Sequence, residues 1–125
     1  MINPLIVEGQ VHGGVAQGIG QALLERAAFD EASGQLLSGS WMDYALPRAA
    51  DLPRFVAETD ESQPCTHNPL GAKGCGESGA IGAPAAVVSA ALDALAPLGV
   101  RDLEMPLTPQ CLWRAIMRAR EGAPP

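Results

Sequence analysis

From Ala80 to Leu92 the chain carries no charged residue, and directly ahead of this run lies a glycine-rich turn, Lys73-Gly74-Cys75-Gly76-Glu77-Ser78-Gly79. The run is rich in alanine and apolar on nearly every side, so it predicts a helix over Ala83–Leu95 that must be buried on most sides. Pro84 suits the first turn of that helix, and Pro97 and Gly99 end it. A lone carboxylate at the mouth of such a helix, Glu77, has two readings. It complements the helix dipole, or it is a general base. Desolvation favours the neutral acid, which suits a carboxylate that must take up a proton near neutral pH. The flanking glycines let a ligand approach the backbone closely.

A second glycine-rich stretch runs from Gly9 to Gly20. Val15, Ile19, Ala22, Leu23 and Arg26 follow helical spacing, although each interior glycine costs about 1 kcal/mol relative to alanine. The compensation is close approach, either to another helix or to a ligand for which Gln10, Gln17 and Gln21 offer donors and acceptors. Pro4–Val7 reads as a short strand or extended entry. Phe29–Pro47 reads as a hairpin around the turn at Asp30–Gln35, with Trp41 and Tyr44 covering core edges. Phe55–Thr59 reads as a third strand. Asp60–Lys73, broken by Pro64 and Pro69, is a long irregular loop. Arg101–Met105 is a candidate short strand, and Thr108-Pro109 opens a last helix with Leu112, Trp113, Ile116 and Met117 on one face. The fold class expected is therefore α+β. It has a glycine-rich helix, a hairpin plus a strand, a buried Ala-rich helix and an amphipathic C-terminal helix.

Several function classes are disfavoured. With 14 acidic against 8 basic residues, no basic face is available for nucleic acid. Ile2–Val7 lacks the charged start of a secretory signal. The longest apolar run falls short of the roughly 20 residues that span a bilayer, so no membrane partner is expected. The cysteines, Cys65, Cys75 and Cys111, are odd in number and widely spaced. Free thiols suggest a reducing, cytoplasmic setting. Gly74-x-Gly76-x-x-Gly79 matches dinucleotide-binding spacing, but no strand precedes it and Glu77 would sit where a pyrophosphate belongs. Cys65, His67 and Cys75 lack paired zinc knuckles, so no metal ligands are assigned. No feature brings His67 or His12 to Cys75 as a nucleophile pair, and no Gly-x-Ser-x-Gly elbow occurs.

Taken together, Ile2-Asn3-Pro4 to Leu23 and Asn68-Pro69-Leu70-Gly71 to Leu95 resemble the C-terminal region of the large subunit of molybdenum hydroxylases. That family includes xanthine dehydrogenase, aldehyde oxidase and aerobic carbon monoxide dehydrogenase, and this chain looks nearest the last branch. The resemblance extends to Met105–Pro109 and the final helix. It implies that Glu77 is the catalytic base of a water-dependent hydroxylation of an aldehyde, N-heterocycle or similar small substrate, or of carbon monoxide oxidation. It implies that Gln10, Gly13, Gly14, Gln17, Gly18, Lys73, Gly74, Cys75 and Gly76 line the cofactor. That cofactor would be molybdopterin with molybdenum, expected in its cytosine dinucleotide form. Iron–sulfur clusters and FAD would sit on partner subunits. The family's large subunit is several times longer. Residues 1–121 are therefore expected to be the C-terminal part of a molybdopterin-binding domain, inactive alone, and 122–125 a disordered tail. The implied partners are the remainder of the large subunit, an iron–sulfur subunit and a flavin subunit, with self-association a further expectation. A non-catalytic module that docks on a partner is the competing reading.

Overall fold

The computed structural model describes residues 1–122. It is mostly helical. Helix α1 spans Pro4–Leu23, α2 spans Ser78–Leu95 and α3 spans Pro109–Arg120, with short 3-10 turns at Ala49–Asp51 and Ala96–Leu98. The Pro4–Val7 segment is the first turn of α1 rather than a strand. Asn3 caps it, its Oδ1 accepting from the Ile6 amide at 3.1 Å, and Pro4 occupies the first helical position.

The expected strands are not formed. Among the described residues, pairing is limited to one antiparallel bridge, Phe29 to Leu36. The turn between them is built as anticipated. The Ser33 amide and hydroxyl donate to Asp30 Oδ1 at 2.8 and 2.6 Å, and Gly34 takes the left-handed conformation at φ 71°. Beyond Leu36, Ser38-Gly39-Ser40 interrupts the run, and Ser40 starts a new turn that receives the Asp43 and Tyr44 amides. The ladder has nowhere to continue. Neither Phe55–Thr59 nor Arg101–Met105 has a strand beside it, so neither becomes one. Trp41 does not cover a core edge, being 82% exposed. Tyr44 does anchor its turn, donating to Glu25 Oε2 at 2.7 Å.

Helix α2 begins five residues earlier than periodicity suggested, so Pro84 lies in its interior. Proline has no N–H for the carbonyl of Ala80, and its ring needs space beside the helix. Gly18 of α1 supplies that space: a Cβ built there would lie 2.9 Å from Pro84 Cδ. The expectation that α2 is buried is not met. None of its residues is buried, and Ile81 is 78% exposed. The reason is coverage. Helix α1 packs along one side, and α3 touches the Ala96–Leu98 turn. The stretch Ser78–Leu98 is long and apolar enough, by length and composition, to cross a membrane, more than the shorter run had suggested. Beside α1 an open apolar groove of about 620 Å³ remains, lined by Val11, Val15, Ile19, Gly82, Ala86 and Val87.

Gly99, at φ 89°, ends the second helical segment, and Val100 and Leu107 tuck under the chain with Ala22. The Leu107 amide donates to Ala22 O at 2.6 Å. Thr108 Oγ1 then accepts from Cys111 N at 3.3 Å, so α3 starts as expected. Of the expected tail, Gly122 closes the turn after α3, and 123–125 lie outside the described residues.

Candidate active site

Two stretches far apart in sequence meet where the start of α2 crosses the middle of α1. A Cβ built on Gly79 would stand 2.6 Å from Val11 O and 2.7 Å from Val15 N. One built on Gly14 would stand 3.0 Å from both Ala80 N and Gly79 Cα. No side chain fits at Gly79 without a shift, and one at Gly14 would press the facing backbone, so backbone lies on backbone. Upstream, the side of Gly76 that lacks a Cβ faces Gln10, whose Oε1 would be 3.6 Å from such an atom. The crossing thus brings the turn carrying Glu77 to the helix carrying Gln10.

The Gly9–Gly20 motif is divided between two faces of α1. Gly14 and Gly18, four residues apart, are buried under α2. Gln10, Gly13 and Gln17, at i, i+3 and i+7, share an exposed face. Of the five expected to line the cofactor, Gly14 and Gly18 lie against Gly79, Ala83 and Pro84 of α2, whereas Gln10, Gly13 and Gln17 stay open. Of the two gains expected of these glycines, helix packing is realised at Gly14 and Gly18, and Gly13 has open space on the side that lacks a Cβ.

The turn itself is ordered by its neighbours. Asn68 brackets Ala72, donating from Nδ2 to its carbonyl at 2.9 Å and accepting its amide at Oδ1 at 3.1 Å. The Ser78 hydroxyl donates to Cys75 O at 2.7 Å. Lys73, Gly74 and Gly76 are exposed and Cys75 is half-buried. Glu77 is the N-cap residue of α2, its carbonyl accepting from Ala80 N at 3.0 Å and Ile81 N at 3.2 Å. Its side chain makes no capping hydrogen bond. The dry surroundings expected for this carboxylate are absent from the chain itself: Glu77 is exposed, because the glycines leave it open and α2 is uncovered. Cys65 Sγ and His67 Nδ1 lie 4.0 Å apart. Among the described residues no group of three or more His, Cys, Asp and Glu side chains is placed to hold a metal. His12 turns away to pack on Phe55, ring centroids 5.7 Å apart, with Nε2 buried and unpartnered.

Comparison with known proteins agrees with this pairing of motifs. Residues 1–53 match a molybdopterin cofactor-binding domain. The large chain of carbon monoxide dehydrogenase from Hydrogenophaga pseudoflava is 42% identical over 92% of the chain and 14% of its own length. The large subunit of nicotine 6-hydroxylase from Paenarthrobacter nicotinovorans is 48% identical over the same shares. The crystal structure of quinoline 2-oxidoreductase from Pseudomonas putida 86 superposes with a TM-score of 0.87 at 49% identity, over 94% of this chain and 15% of that one. The chain belongs to the molybdenum hydroxylase large-subunit family. It falls on the carbon-monoxide-dehydrogenase-like branch, and it spans about one seventh of the length of the curated relatives it matches.

The residues present fit the molybdopterin group of that family. Gly9, Gly13 and Gly74 have nothing within 4 Å of where a Cβ would stand, so they leave open space rather than close packing. Among the described residues, no backbone N–H from Gly74 to Glu77 donates to an acceptor in the chain. Successive free amides of this kind at a helix start suit the polar oxygens and phosphate of a pterin cofactor. Gln10 adds a side-chain amide beside Gly76, and Gln17 another on the same exposed face of α1. The molybdenum hydroxylase pattern missed Gly79. Its signal was available in the sequence: a glycine two residues after the carboxylate, at the start of a helix that must cross another glycine-rich helix.

Proposed function

We propose that the chain contributes the general base, Glu77, and one wall of the molybdopterin site of a molybdenum-dependent oxidoreductase. The reaction class is water-dependent hydroxylation of an aldehyde, an N-heterocycle or a similar small substrate, or oxidation of carbon monoxide. The observation that carries this reading is the crossing itself, which brings the turn 74–77, with its free amides and Glu77, up to α1 so that the open side of Gly76 faces Gln10.

When bound, the cofactor supplies the metal centre that accepts electrons from the substrate. The chain's own residues do the rest of what is assigned here. Gln10, Gln17 and the amides of Gly74–Gly76 would hold the pterin by hydrogen bonds, and Lys73 would offer a positive charge to an anionic group of the cofactor. Glu77, without a hydrogen-bond commitment to α2, accepts a proton at a carboxylate oxygen as the water-derived oxygen becomes nucleophilic. Water is excluded from Glu77 by surfaces that dock over the open side of the turn. Those surfaces are assigned to the remainder of a large subunit. Iron–sulfur and flavin subunits would carry the electrons away, and the cofactor is assigned its cytosine dinucleotide form.

The test is Glu77→Gln in the assembled enzyme. The substitution keeps size and hydrogen bonding but removes the base, and general-base catalysis contributes about 10²–10⁴-fold. Turnover per bound molybdenum should fall by at least the lower figure with cofactor content unchanged. Near-normal turnover would remove Glu77 from the chemistry and leave the chain a docking module.

A further inference from the structure

We propose that Gly79, with Gly14 and Gly18, positions the catalytic turn by setting how closely α2 lies on α1, and that none of the three touches the cofactor. The proposal rests on the reading of Glu77 and Gln10 given above. Three observations carry it. The contact at Gly79 is backbone to backbone, 2.6 Å from a virtual Cβ to Val11 O and 2.7 Å to Val15 N, with no flexible side chain to yield. Ordinary contact begins at 3.4 Å, so even an alanine methyl would lift the start of α2 by roughly 0.8 Å. Gly79 is two residues from Glu77 and three from Gly76, whose open side faces Gln10. A lift there is passed directly to the carboxylate and to the free amides.

The second contact is graded below the first. Alanine at Gly14 would meet backbone at 3.0 Å, a smaller displacement. The third is of a different kind. Alanine at Gly18 would meet Ala83 Cβ at 2.6 Å and Pro84 Cδ at 2.9 Å, both side-chain atoms that can be removed. Gly18 therefore offers a steric exchange that the other two do not. If Gly18 contacted the cofactor, trimming α2 could not relieve an added methyl. If it contacts only α2, trimming α2 should.

The experiment uses the assembled holoenzyme, with molybdenum and pterin content measured for each variant. A misplacement of about 1 Å can cost about 10²-fold in rate. Gly79→Ala should lower kcat per bound molybdenum by about ten- to a hundredfold, and affect KM less, since it displaces the base without removing a binding group. Gly14→Ala should fall less. Hydrogen exchange should speed up in the peptide covering the turn 74–77 of Gly79→Ala, a readout independent of turnover. Gly18→Ala alone should lose turnover, and Gly18→Ala with Ala83→Gly and Pro84→Ala should recover most of it. Should Gly79→Ala not assemble, the Gly18 set decides. Unchanged kcat per molybdenum in Gly79→Ala, or a well-folded Gly18 triple variant that stays inactive, overturns the proposal. A silent Glu77→Gln beside an impaired Gly79→Ala would instead sink the base assignment and leave the crossing intact.

Discussion

Truncating Leu107 to alanine tests where the chain's own stability resides. Leu107 is 1% exposed and is the largest fully buried side chain. Among the described residues, Ala22 and Val100 are the other buried apolar ones. Burial of a leucine side chain is worth about 1.5–3 kcal/mol in transfer alone, and a cavity left behind raises the loss on truncation to about 2–5 kcal/mol. Domains are ordinarily stable by about 0.05–0.15 kcal/mol per residue. For 125 residues that is about 6–19 kcal/mol, and a chain with so few buried side chains belongs at the low end. Leu107→Ala should therefore remove a third or more of the stability. The loss should also be local in its first effect. Leu107 ties its segment to α1 through Ala22 O, and the next residue, Thr108, caps α3. Helix α3 has no comparable anchor on α1 or α2. Urea unfolding followed by circular dichroism should show a lower midpoint with a similar slope. Hydrogen exchange in the purified chain should lose protection in α3 before the α1–α2 crossing. A loss under 0.5 kcal/mol, or equal deprotection of all three helices, would refute this reasoning.

Two further outcomes follow from surface and charge. The chain exposes 9490 Å², whereas a compact protein of 12.9 kDa exposes about 6,300 Å². The purified chain should therefore bind a hydrophobic dye and associate with itself or a partner, and a sharp monomer in sedimentation at high concentration without dye binding would contradict this. The hydrogen bond from Tyr44 to Glu25, reinforced by desolvation and the nearby negative charge, holds the Tyr44 phenol above its ordinary value near 10. A raised folded-state value contributes stability that is fully present below the unfolded pKa and is lost as pH climbs through the folded one. Thermal midpoints of the wild type should thus fall toward those of Tyr44→Phe above about pH 10. Parallel curves across that range would exclude the bond as a contributor.

How far the fold could be read from sequence differed by element, for identifiable reasons. Thr108-Pro109 announced α3 because a cap and a first-turn proline are local signals. Asn3-Pro4 carried the same signal for α1, but the apolar, β-branched Ile6-Val7 pair that follows reads equally well as a strand. The turn at Asp30–Gly34 was legible from its composition; the ladder beyond it was not, because pairing depends on residues such as Gly39 that end a strand without marking where. The residues of the candidate site could be named from the sequence, but not the faces on which they lie. Glycine spacing in α1 serves two purposes at once, and only the direction from which α2 arrives separates Gly14 and Gly18 from Gly13.

That separation bears on how the site is completed. On the proposed role of Glu77, the placing of the turn depends on a backbone crossing that lies within the chain, whereas the dryness a general base needs does not. The bare side of α2, the apolar groove and the open side of the turn adjoin the same crossing. One docking surface that covers α2 would also close over the turn, so burial of the apolar helix and desolvation of the carboxylate become a single event. The hydrophobic gain from covering α2, at about 25 cal/mol per Å², then drives the unfavourable step of taking a carboxylate out of water. An apolar helix left bare in the chain and a carboxylate left wet are then two sides of one arrangement, in which a single covering surface would bury the one and desolvate the other.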